Sequence, residues 1–125
     1  MSGAGLAPEE LLAEIARLAD DRKALDVVAL DLRGLIGYTD WFVICTGRSD
    51  RQTRAIHDGI HAGLKGSHGL LPRRVEGFSQ GSWILMDYLD VVVHVFTPQT
   101  RDFYRLEQLW GEAPAVAVGA GAGAG

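Results

Sequence analysis

Residues 41–46 form an apolar run that constrains the fold of this chain more than any other segment. The run reads Trp-Phe-Val-Ile-Cys-Thr, so it is rich in aromatic and β-branched residues and has no polar face. Such a composition is typical of a central β-strand that is covered on both sides. We therefore predict a sheet with this strand in its interior.

The other patterns supply the remaining elements of an α/β domain. Apolar residues recur at three- and four-residue spacing in three segments, which predicts helices from Pro8, from the cap Ser49, and from Pro98. Strands are predicted over residues 26–33, 41–46, 73–76, 83–88 and 91–96. The expected fold is a single mixed β-sheet packed by about three helices.

The last two strands are separated only by Leu89 and Asp90, which indicates an antiparallel hairpin. Leucine is a poor residue for a tight turn that needs a positive φ, so the type of turn stays open.

Three segments are expected along the 125 residues. Residues 1–6 are small and form a flexible N-terminus, and residues 7–112 form one domain. Phe103, Leu106 and Trp110 mark the expected apolar face of the last helix. Residues 113–125 are a Gly/Ala-rich tail that buries too little to offset its ordering entropy, so we predict that it is disordered.

The formal net charge of −4 argues against a protein held mainly by nucleic-acid phosphates, and it suits a basic protein partner. The single cysteine, Cys45, lies in an apolar run and is expected to be a small buried hydrophobe. The start of the chain lacks the pattern of a secretory signal, and no apolar stretch reaches the length of a membrane span. A cytoplasmic protein is expected.

Patterns for catalysis and metal binding are weak. His57 and His61 share a helix face but lie in no HExxH motif, so a solvated face is favoured. His94 sits among valines and is expected to be a structural histidine. Asp87 and Asp90 are three residues apart across a turn, whereas paired metal-binding acids on a strand are usually two apart. We predict no catalytic residues, no metal and no cofactor.

Aromatic side chains concentrate in the last third of the chain. Strand alternation puts Trp83, Leu85 and Asp87 on one face, and Ile84, Met86 and Tyr88 on the other. One face should be core, and the other could be a contact surface, because Trp and Tyr often anchor protein interfaces.

Four ordered motifs carry a resemblance to a known family. They are Asp40-Trp-Phe-Val-Ile-Cys-Thr-Gly-Arg-Ser-Asp-Arg-Gln, Val75-Glu-Gly, Trp83-Ile-Leu-Met-Asp-Tyr-Leu-Asp-Val-Val-Val-His-Val-Phe, and Phe103-Tyr-Arg-Leu-Glu-Gln-Leu-Trp. Over roughly residues 7–112, the chain resembles the Iojap-related ribosomal silencing factors.

This resemblance implies a nucleotidyltransferase-like fold without catalytic residues. It implies a non-enzymatic protein that binds the large ribosomal subunit through its ribosomal protein fourteen and sterically blocks subunit joining, which represses translation under nutrient limitation. Little direct contact with nucleic acid is expected. The family's contact surface corresponds to Trp83, Tyr88, Asp90, Phe96 and Tyr104, and Leu89 departs from the glycine that is frequent in the family's turn.

Two alternatives remain open from the residues alone. A divergent nucleotidyltransferase-like enzyme would use Asp87 and Asp90 with Mg²⁺ and a nucleotide. A homodimeric adaptor would use the exposed apolar face for self-association instead of ribosome binding.

Overall fold

The computed structural model describes residues 6–35, 37–105 and 115–117. The elements in chain order are α1 (Pro8–Asp21), β1 (Leu25–Asp31), β2 (Trp41–Thr46), α2 (Asp50–His68), β3 (Arg74–Glu76), β4 (Trp83–Asp87), β5 (Val91–Phe96), α3 (Pro98–Tyr104) and β6 (Ala115–Ala117). The first eight follow the predicted order of helices and strands. None of the helices in these ranges has both the length and the apolar composition that a membrane span requires.

The strands form one mixed sheet in the order β3-β4-β5-β2-β1-β6. β2 and β5 are parallel neighbours in its middle, with Trp41 opposite Val91 and Thr46 opposite Phe96. The other strand pairs are antiparallel, including the predicted β4–β5 hairpin. All six residues of β2 are buried, which confirms that this run is an interior strand.

One face of the sheet is covered by α1 and α2. Ile15 of α1 and Ile56 and Ile60 of α2 are fully buried against Val43 and Val93 of the central strands. Complete burial of an aliphatic side chain of this size contributes about 1.5–3 kcal/mol. This layer is therefore the main hydrophobic core.

Two glycines of α2 face α1. A methyl group at Gly63 would fall against the Leu18 side chain, and one at Gly59 would lie 2.7 Å from Cγ of Arg22. The sequence left open whether these glycines allow close packing on the sheet. In the structure they allow α1 and α2 to approach each other.

A second cluster lies on the opposite face of the sheet. It consists of Leu30, Leu32, Phe42, Ile44, Val92 and Phe96, with Val28, Trp83 and Leu85 packed against it. The residues of β4 alternate between half-buried and buried, so Trp83, Leu85 and Asp87 share a face as predicted. The opposite face carries Ile84 and Met86, which are fully buried.

Ser49 caps α2 as predicted, because the backbone N–H of Gln52 donates to Oγ of Ser49 at 3.2 Å and so satisfies an amide that the first helical turn leaves without a partner. The second bond of the predicted capping box differs. The Gln52 side chain accepts the N–H of Arg48 at 2.8 Å, one residue before the cap, instead of the N–H of Ser49. The helix ends at Gly69, whose φ of 64° is left-handed, as is usual for a glycine at this position.

The last helix differs from the prediction. α3 ends at Tyr104, and Phe103 is 78% exposed, so its assignment to a buried apolar face is wrong. Leu106 and Trp110 lie outside the described residues. Within the predicted tail, Ala115–Ala117 pair with β1 as β6, whereas disorder was expected there. The domain boundaries themselves stay a prediction.

Candidate functional site

The β4–β5 hairpin positions the predicted contact residues. In its antiparallel register, Trp83 lies opposite Phe96 and Leu85 lies opposite His94. Side chains that are directly or diagonally opposite on one face of such a pair are close enough to interact. The hairpin therefore brings Trp83, His94 and Phe96 together on the face that α1 and α2 do not cover.

Trp83 is the centre of an aromatic cluster, which we define as Trp83, His94, Phe96 and Tyr104. The Trp83 ring centroid lies 5.0 Å from that of Phe96 and 4.6 Å from that of Tyr104. These separations are typical of favourable aromatic pairs. Trp83 is half-buried and Tyr104 is 44% exposed, so this edge of the cluster reaches the protein surface.

His94 forms the polar part of the aromatic cluster. Nε1 of Trp83 donates a hydrogen bond to Nδ1 of His94 at 3.0 Å. The accepting nitrogen carries no hydrogen, so the imidazole is neutral with its hydrogen on Nε2. Burial lowers the pKa of His94 to about 4, which keeps the ring neutral near pH 7.

The structure separates the five predicted contact residues into two groups. Trp83, Asp90 and Tyr104 are at least partly exposed and can touch a partner. Phe96 is fully buried and Tyr88 is 5% exposed, so these two belong to the core. Strand alternation explains the burial of Tyr88, because Tyr88 lies on the same face as Met86, which α1 and α2 cover. Phe96 lies beneath the Trp83 ring and supports it.

Asp90 lies at the opposite end of the hairpin from Trp83. Its carbonyl accepts the N–H groups of Asp40 and Trp41 at 3.0 and 3.1 Å, which fastens the turn to the start of β2. Within the turn, the N–H of Asp90 donates to the Tyr88 carbonyl at 3.0 Å, which makes a tight γ-turn centred on Leu89. The Asp90 carbonyl is therefore structural.

Leu89 adopts the positive φ that its residue type disfavours, at 79°. Asp87 stabilises this conformation, because its carboxylate accepts the Leu89 N–H at 2.8 Å. The Leu89 side chain is 50% exposed at the tip of the hairpin. A strained residue whose side chain reaches solvent suggests a role beyond folding.

The acids and histidines that the structure describes do not converge on a metal site. The Asp87 carboxylate lies 3.7 Å from Arg74 and also caps Leu89, while His57 contacts Asp58 at 2.9 Å and Phe78. In the described part of the chain, no three His, Cys, Asp or Glu side chains group around a position for an ion. Burial also raises the pKa of Cys45 to about 12, which leaves that thiol protonated.

A cleft of about 660 Å³ opens between β1 and α3, at the end of the sheet that also carries Phe96 and Trp83. Arg101 crosses it and donates to the Asp26 carbonyl at 2.8 Å and to Oγ1 of Thr46 at 2.9 Å. Asp26, Asp102 and Arg105 also line it. Arg101 therefore ties α3 to the start of β1 and the end of β2, and Arg105 pairs with Asp102 at 3.7 Å.

Two features of the surface around Trp83 and Tyr104 were not predicted from the sequence. Phe103 extends beside Tyr104, with ring centroids 5.0 Å apart, and is 78% exposed, more than any other large apolar side chain in the described ranges. Helical spacing alone could not show this, because α3 ends one residue later. The hydrogen bond between Trp83 and His94 was also missed, although both residues share a face in any in-register hairpin of these strands.

Known proteins show clear similarity to this chain. Residues 6–122 match the family described as ribosomal silencing factor during starvation. The ribosomal silencing factor of Halalkalibacterium halodurans is 43% identical over 86% of this chain and 92% of its own length. That of Bacillus subtilis is 42% identical over 85% and 89%, respectively. A crystal structure from Chromobacterium violaceum superposes with a TM-score of 0.81 at 34% identity, covering 85% of this chain and 88% of that protein.

Proposed function

This chain belongs to the ribosomal silencing factor family, and on that premise we propose that it binds the large ribosomal subunit and blocks subunit joining. The proposed partner is ribosomal protein fourteen of that subunit. Joined ribosomes would decrease when nutrients are limiting, and translation would be repressed. The role is regulatory, in the cytoplasm, and needs no catalytic step.

The exposed aromatic edge where α3 meets the hairpin is the observation that carries this proposal. We define it as the contact surface, formed by Trp83, Phe103 and Tyr104 with Asp90 at the far end of the hairpin. Trp and Tyr are the residue types that most often dominate interface energetics. Tyr104 and Phe103 are 44% and 78% exposed, so a partner can bury them.

Charge supports a protein partner rather than RNA. The net charge of −4 disfavours binding driven by backbone phosphates and favours approach to a basic protein. A standard interface covers about 800 Å² on each partner. The exposed area of this chain is 6599 Å², so most of its surface would remain outside such a contact. That remaining bulk is what would obstruct the small subunit.

Blocking then follows from mutual exclusion. If the bound factor and the joined small subunit occupy the same space, each lowers the apparent affinity of the large subunit for the other. The core under the contact surface contributes indirectly, because the buried Phe96 packs against the Trp83 ring with centroids 5.0 Å apart. Binding energy and excluded volume are sufficient for this mechanism.

Co-sedimentation with isolated ribosomal subunits tests the proposal. The protein should pellet with large subunits at low and moderate salt, and added small subunits should form fewer joined ribosomes in its presence. Tyr104→Ala should weaken binding at least tenfold, as expected when an interface anchor is truncated. Phe78→Ala is the matched control, because Phe78 is an exposed aromatic residue at 38% that lies beside His57 on α2.

Two further measurements separate this proposal from its alternatives. Capture of purified ribosomal protein fourteen by the wild-type protein, and not by Tyr104→Ala, would identify the partner. Size-exclusion chromatography of the wild-type protein and of Tyr104→Ala would reveal self-association through Tyr104. A protein that stays in the supernatant at both salt concentrations would refute ribosome binding.

A further inference from the structure

We infer that His94 is a positioning residue for the contact surface, because its hydrogen bond fixes the orientation of the Trp83 indole. This inference rests on the proposed function, since it concerns the surface through which the partner would be bound. His94 itself is 4% exposed and cannot reach a partner. Its effect on binding must therefore pass through Trp83.

Ring packing alone does not determine the direction of the Trp83 indole. Phe96 and Tyr104 pack near the ring, with centroids at 5.0 and 4.6 Å, and apolar contacts of this kind are weakly directional. The bond from Nε1 of Trp83 to Nδ1 of His94, at 3.0 Å, selects one orientation. That orientation decides which edge of the indole is presented to a partner.

The His94 ring is itself held in place. Phe42 meets it edge-on with ring centroids 4.5 Å apart, and Phe96 stacks with it at 6.1 Å. Nε2 of His94 is buried and has no hydrogen-bond partner among the residues that the structure describes. An unpaired buried N–H is costly, and an apolar side chain could fill the site without this cost. What the imidazole adds is the acceptor for Trp83.

Three substitutions test this role in binding to purified large ribosomal subunits. His94→Phe keeps an aromatic ring but removes the acceptor, and we expect binding to weaken about tenfold. His94→Asn places an amide oxygen near the position of Nδ1 and should retain binding within about threefold. Trp83→Phe replaces the indole by a smaller phenyl ring that has no N–H, and should also weaken binding.

The double variant identifies the route of the effect. If His94 acts through the hydrogen bond, adding His94→Phe to Trp83→Phe should cause little further loss, because the donor is already gone. A thermal melt of each variant establishes that it is folded. If His94→Phe does not fold, the test rests on Trp83→Phe. A Trp83→Phe variant that binds as tightly as the wild-type protein would overturn the inference.

Other outcomes distinguish the two proposals. Folded His94→Phe that binds as tightly as the wild-type protein, while Tyr104→Ala binds weakly, would overturn the positioning role and leave the contact surface intact. Equal losses from His94→Phe in the wild-type and Trp83→Phe backgrounds would also overturn it. Absence of binding by the wild-type protein would refute the proposed function itself.

Discussion

Acidification should destabilise this protein through His94. Burial lowers the pKa of His94 in the folded chain to about 4, from an ordinary value of 6.5. Between these values the unfolded chain binds a proton that the folded chain does not, so the free energy of unfolding decreases as the pH falls. The stabilising effect of a neutral His94 is complete above pH 6.5 and is lost progressively toward pH 4.

The expected magnitude follows from the two pKa values. Linkage gives a loss of ~2 kcal/mol from this one group between pH 7 and pH 5. Protonation would also take away the acceptor of the Trp83 N–H, because Nδ1 would then carry a hydrogen. For a chain of this size, the loss corresponds to a decrease in melting temperature of roughly 8 °C.

Urea unfolding at pH 7 and pH 5 measures this effect, and His94→Asn provides the control. Asparagine does not titrate, and its side-chain oxygen can still accept from Trp83. From pH 7 to pH 5, the unfolding free energy of the wild-type protein should therefore fall by ~2 kcal/mol relative to that of His94→Asn. A difference that stays constant would show that His94 is not held neutral by burial, and the reasoning would fail.

Two predictions concern backbone positions. Gly63→Ala should lower the melting temperature, because overpacking against Leu18, with Cδ1 at 2.8 Å from the new methyl group, costs ~1–3 kcal/mol and exceeds the ~1 kcal/mol gained in helix propensity. Gly66→Ala is the control, since nothing lies within 4 Å of the added methyl group and only the gain in helix propensity remains. A Gly63→Ala variant that is more stable than the wild-type protein would contradict the close approach of α1 and α2. Leu89→Gly should stabilise the protein by up to ~1 kcal/mol in urea unfolding, because glycine tolerates a φ of 79°. Leu89→Ala keeps the strain and should show no such gain; equal behaviour of the two would refute strain at this turn.

Much of the architecture could be predicted from local patterns. The apolar run of β2, the alternation along β4 and the helix cap Ser49 each depend on residues close in sequence. Such patterns reflect the period of the element and the chemistry of its ends, which a single sequence contains. The mixed sheet packed by helices followed from them.

Features that depend on tertiary contacts could not be predicted. The parallel pairing of β2 with β5 and the return of Ala115–Ala117 to β1 join segments that are distant along the chain. Gly63 serves helix contact, but an isolated glycine in a helix does not reveal its neighbour. Strand alternation places Tyr88 on one face with Ile84 and Met86, but it does not show that α1 and α2 cover this face. The exposure of Phe103 likewise depends on where α3 ends.

The parallel pair in the middle of the sheet has a consequence for how this chain reaches its native state. β4 and β5 are joined only by residues 88–90 and can pair early, because closing a short loop costs little entropy. Pairing of β2 with β5 must wait for α2 and the whole hairpin to be available. During synthesis, β2 therefore leaves the ribosome with one edge unsatisfied, and the interior is completed only after Phe96 has emerged. Such delayed non-local pairing slows folding and exposes an apolar strand to aggregation meanwhile.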